Sequence, residues 1–96
     1  MTTISMRVLE EALALVAEHV RQTVGDSVYI EHDYFWSVPA DELYNIDQPP
    51  GDLTLGQLSE CLQQIESLVN EPDDVIAYHM VWLGELLKAV GHKVVG

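Results

Sequence analysis

Basic residues are the scarcest part of this 96-residue chain: four lysines and arginines stand against sixteen aspartates and glutamates, a formal net charge of −12. Between Arg21 and Lys88 there are thirteen carboxylates and no Lys or Arg. A field of that sign repels a phosphate backbone, which disfavours direct nucleic-acid binding, and it attracts and steers a basic protein surface. Acidity of this kind also serves solubility alone. Cysteine is nearly absent as well. Cys61 is the single one, so the chain can form no internal disulfide and no multi-cysteine zinc site. Its place on a helical apolar face predicts a buried, unreactive thiol.

Long hydrophobic runs are missing too, and none approaches the ~18 residues a membrane span requires. The N-terminus, MTTISMRVLEEALAL, has no basic region ahead of its apolar residues and places Glu10 and Glu11 where a signal peptide is apolar. An unprocessed cytoplasmic protein without membrane contact is the expectation. There is no G-x-S-x-G elbow, no Gly-rich phosphate loop and no two-histidine ligand spacing on a helix. Glu31, His32 and Asp33 are adjacent, but neighbours in a strand point to opposite faces and cannot converge on one metal without a bend. The sequence thus predicts no enzyme, no metal and no cofactor, and reads His79 as a satisfied core or boundary histidine.

What is present is periodic. The length suits one domain over residues 1–96, with enough chain to bury a core. From Thr2 to Val24, Leu9, Ala12, Leu13, Val16, Ala17, Val20 and Val24 recur at three and four residues and predict an amphipathic helix. Threonine and serine can cap its start, Arg21 lies in its last turn, and Gly25 sits where a left-handed residue is wanted. Leu53-Thr54-Leu55-Gly56-Gln57-Leu58 reads as a capping box with its hydrophobic staple, opening a helix at Thr54 that runs to about Asn70. Glu71-Pro72-Asp73-Asp74 turns the chain and starts the last helix, whose stripe runs from Val75 and Ile76 through Trp82, Leu83 and Leu87 to Val90, closed by Lys88 and Gly91. So short a connection predicts a helical hairpin.

The exception lies between the first two helices. Asp26–Asp52 holds five of the seven aromatic residues, three of the four prolines and seven of the sixteen carboxylates. There the period shifts toward two. Val28, Ile30, His32, Tyr34 and Trp36 alternate with Tyr29, Glu31, Asp33 and Phe35, which predicts a strand burying the first set, with Glu31 and Asp33 outward. The backbone of that strand needs a neighbour. Lys93–Val95, Tyr44–Ile46 or another chain are the three options, with internal pairing favoured over augmentation by a second chain. Ser37–Tyr44 suits one helical turn, and Asn45–Asp52 is a proline and glycine loop. Asp41, Glu42 and Asp47 gather charge beside Tyr44, a composition suited either to a solvated acidic loop or to an interface that reads basic residues. The fold expected is therefore mainly α, α+β at the margin: three amphipathic helices in a compact bundle, with one extended strand and a Pro-rich acidic loop between the first and second helices.

The runs DYFWSVPADELYN, LTLGQLSE and VWLGELLKAVG, spread over residues 28 to 91, resemble a set of small acidic immunity proteins of contact-dependent growth-inhibition and related polymorphic toxin systems. The resemblance implies a non-enzymatic protein that binds one cognate toxin domain, often a nuclease, and covers its active site or substrate surface. Such proteins share no general motif, so no functional residue carries over by position. Charge and resemblance together select Glu31, Asp33, Asp41, Glu42, Tyr44 and Asp47 as partner-binding residues toward a basic nuclease toxin. The alternative is a homodimeric regulatory or scaffold protein that uses its strand edge as the interface.

Overall fold

The computed structural model describes residues 1–37 and 53–95. It is mainly helical with a small sheet, in the order α1 (Met6–Thr23), β1 (Tyr34–Ser37), β2 (Thr54–Gln57), α2 (Leu58–Asn70), a 3-10 turn (Pro72–Asp74) and α3 (His79–Val95). The helical turn expected over Ser37–Tyr44 and the loop expected over Asn45–Asp52 fall almost wholly outside the described residues, as does Tyr44–Ile46 as a strand partner.

The first helix follows its sequence signals. Ser5 is the N-cap, its hydroxyl accepting from the Val8 amide at 3.3 Å. At the other end the amides of Val24 and Gly25 donate to the carbonyls of Val20 and Arg21, and Gly25 takes φ 125°, a conformation that side chains with a Cβ rarely adopt. Among the described residues, no helix is long and apolar enough to cross a membrane.

The second helix starts differently from the sequence expectation. Thr54–Gln57 does not open α2; it is strand β2, antiparallel to β1, with Tyr34 opposite Gln57, Phe35 opposite Gly56, Trp36 opposite Leu55 and Ser37 opposite Thr54. Among the described residues the central strand thus has an internal partner, β2, and the C-terminal tail Lys93–Val95 is helical rather than paired with it. The reason lies in Phe35 and Gly56. The Phe35 ring lies across the glycine so closely that a Cβ there would sit 2.8 Å from Cε2 and 2.9 Å from Cε1. Glycine in a strand often marks such a close approach. A threonine at the head of a T-x-x-Q box is equally a good strand residue, and cross-strand pairing decides between the two.

This register also inverts the expected face. Phe35 is half-buried, whereas Tyr34 and Trp36, expected inside, are 56% and 67% exposed. The strand spans only Tyr34–Ser37, so the alternation read from Val28 breaks before it reaches the aromatic residues. Val28 and Ile30 are still half-buried, in extended chain ahead of the strand.

With its local cap gone, α2 is capped from a distance. Gln57 occupies the N-cap position with no capping side-chain bond. Asp33 supplies both acceptors: its carbonyl receives the Leu58 amide at 2.7 Å, and its carboxylate receives the Ser59 amide at 2.7 Å and the Ser59 hydroxyl at 2.8 Å. A carboxylate at the positive end of a helix satisfies amides that have no partner within the helix. Directly behind this junction lie Leu58 and Cys61, the two buried side chains among the described residues.

α2 then packs on α3 across the short connection, as the expected hairpin requires. Val75 and Ile76, assigned from the sequence to the last helix, precede it instead. α3 begins at His79, whose Nδ1 accepts the Ile76 amide at 3.0 Å and whose ring meets Trp82 edge-on at 5.2 Å. Nor does Gly91 end the helix, which continues to Val95.

Candidate functional site

The electrostatic surface is best built from the positive charges, because they are few. Each of the four is held by a carboxylate of the same chain: Arg7 by Glu11 at 3.1 Å, Arg21 by Asp26 at 3.8 Å, Lys88 by Glu85 at 3.6 Å, and Lys93 by Glu31. The first three pairs join near neighbours on or beside one helix. Glu31 and Lys93 instead tie the chain ahead of β1 to the last turn of α3, 62 residues away. No described cation is left over to neutralise Glu60, Glu66, Glu71, Asp73 or Asp74, which follow one another along α2 and into the 3-10 turn, all exposed.

Of the six residues selected from the sequence, the structure describes Glu31 and Asp33. Both lie just ahead of β1, and both hold the fold. The hydrogen bond from Lys93, then one to its own backbone, keep the Glu31 carboxyl below the ordinary carboxylate range, and the charge of Lys93 adds a smaller contribution. Its side chain remains 60% exposed and open to a partner. Asp33 is half-buried, turned onto the α2 N-terminus rather than outward. Asp41, Glu42, Tyr44 and Asp47 lie outside the described residues, in the segment that joins β1 to β2.

Two features were missed in the sequence. The first is the exposure of Tyr34 and Trp36, which makes the outer face of β1 aromatic; the concentration of aromatic residues in this segment was the signal, but their burial was assumed. The second is a shallow hollow of about 320 Å³ beside them, lined by Phe35, Trp36 and Leu58 together with His32, Glu85, Lys88, His92 and Lys93. It brings an indole, two imidazoles and both lysines of α3 to one place, next to Glu31.

Cys61 is 5% exposed, and its thiol is pushed up by burial first and then by the carboxylates of Glu85 and Glu60. A thiol in that state holds its proton at neutral pH and is a poor nucleophile. Among the described residues, no group of histidine, cysteine and carboxylate side chains is placed to hold a metal ion. No protein-family model matches the chain, and comparison with curated proteins and with solved structures finds no match.

Proposed function

We propose that this protein is an immunity protein: it binds a cognate toxin domain, a basic nuclease, and neutralises it by covering the surface that would hold RNA or DNA. The observation that carries this reading is the internal pairing of all four cations, which leaves the exposed carboxylates of α2 and the 3-10 turn with no described cation to neutralise them. An acidic surface of this kind competes with a phosphate backbone for the same basic groove and accelerates encounter with it. It acts without catalysis and without a cofactor.

The contact surface proposed runs from Glu31 into Asp41, Glu42, Tyr44 and Asp47, without Asp33, whose carboxylate is taken up by the α2 N-terminus. The exposed rings of Tyr34 and Trp36 adjoin it and supply what a purely charged surface lacks, since aromatic anchors at the centre of an interface carry much of the binding energy while rim charges set the association rate. The three helices are the scaffold for this surface. The site of action is the cytoplasm, where a delivered nuclease meets its substrate.

The test is affinity capture from the native host with the tagged protein, washed at low and then at moderate salt. One stoichiometric partner bearing a basic toxin domain, retained at moderate salt, is the expected result. Elution of salt-labile ribosomal and other basic proteins alone would mean that the acidity serves solubility.

A further inference from the structure

α1 and α3 face each other without closing. Between them runs a groove of about 770 Å³ whose walls are almost wholly aliphatic. Leu9, Leu13, Val16 and Val20 follow one another at intervals of four, three and four along α1, and Leu83, Leu87, Val90 and Val94 repeat the same intervals on α3. This four-three spacing is the seam by which one helix packs its side chains between those of another helix. Neither seam is fully covered: Val20, Leu83, Val90 and Val94 are half-buried, but Leu9 is 44% exposed, Val16 59% and Leu87 44%. Gly84 and Gly91, seven residues apart on α3, open onto the same groove, and a Cβ at either would meet nothing within 4 Å. A helix backbone can therefore approach closely there.

The surface area says how much cover is missing. The chain exposes 8180 Å², against about 5,500 Å² for a folded monomer of its mass. Its radius of gyration is 15.0 Å, against about 12.5 Å for a compact domain of this length.

Charge gives a basic partner no hold in the groove itself. The charged residues lining the groove are Arg21 and Asp26, which pair with each other, so a basic protein finds no free carboxylate there, while two copies of an acidic chain can meet without burying like charges. We infer that a second copy of this chain fills the groove. Helix α1 of each protomer lies against the α1–α3 groove of the other about a two-fold axis, and four helices share one core. The groove is lined by none of residues 29–37, and its test, the mass of the protein alone, is independent of the toxin reading.

Sedimentation equilibrium of the wild-type protein from low to high micromolar concentration tests this, with thermal unfolding over the same range. The expected result is a species of twice the 10.8 kDa chain mass, whose unfolding midpoint rises with protein concentration. Leu87→Glu in the groove raises the dissociation constant at least about tenfold or, where the free protomer cannot stand alone, abolishes folding, while Trp36→Ser on the strand leaves the dimer intact. A wild-type chain of single mass throughout, with a concentration-independent midpoint, overturns the inference. So does a dimer that Leu87→Glu leaves intact.

Discussion

The carboxylate of Asp33 holds Ser59 by two bonds, 2.7 Å from its amide and 2.8 Å from its hydroxyl, and so caps a helix from 26 residues upstream. That contact joins the end of the extended chain to the start of α2 beside Leu58 and Cys61. Asp33→Ala leaves the first amides of α2 without their acceptor and is expected to destabilise the protein by about 1–2 kcal/mol in urea unfolding. Asp33→Asn, which keeps an acceptor oxygen, should recover part of that loss. An Ala variant as stable as wild type would show that solvent caps the helix equally well.

The Phe35 ring lies across Gly56 with no room for a methyl group. Gly56→Ala should force the ring or the strand aside at a cost of about 1–3 kcal/mol. Gly56→Ala combined with Phe35→Leu should cost less than the two single changes added together, because the clash is removed with the ring. Denaturant midpoints of the four proteins measure this directly.

How much of this fold could be read locally depends on where each element's partner lies. The N-cap of α1, its apolar stripe and its glycine stop are all within a few residues of one another, and they stand where Ser5 and Gly25 indicated. The start of α2 was misread because its determinants are distant: Phe35 chooses Gly56, which draws Thr54–Gln57 into a strand, and Asp33 then supplies the cap that the T-x-x-Q motif imitates. The faces of Tyr34 and Trp36 were reversed for the same reason, since alternation alone does not say where a strand begins. Gly91 failed as a stop because a glycine costs a helix only about 1 kcal/mol, less than the continuing apolar stripe through Val94 can return. Within the candidate site, the excess of carboxylate was visible in composition. That all four cations are consumed internally depends on contacts such as Glu31 with Lys93, which no local pattern carries.

Glu31 titrates below the ordinary carboxylate range because of Lys93. Its folded value is depressed, so the pair contributes stability above the unfolded value of about pH 4.3, and that contribution is lost as pH falls through the lower folded value. Lys93→Met should move the Glu31 titration, followed by side-chain NMR, up toward the usual carboxylate range. With both groups exposed to solvent, the unfolding midpoint at neutral pH should move little.

Cys61 should be unreactive toward a thiol reagent in the native protein at neutral pH and become fully reactive in denaturant, because burial both blocks access and raises the thiol. Labelling followed by mass spectrometry reads both states. Rapid native labelling would mean that the α2 junction opens readily.

The proposed acid-on-base recognition is tested most directly in cells. The toxin domain retained by the tagged protein at moderate salt, expressed alone, should arrest growth, and co-expression of the wild-type protein should restore it. The paired reversal Glu42→Lys and Asp47→Lys should restore growth less well, with the affinity for the purified toxin domain lowered at least about tenfold, mainly through slower association. Arrest that the wild-type protein does not relieve would contradict the proposed function. Protection and affinity unchanged by the charge reversal would show that the binding surface lies elsewhere on the molecule.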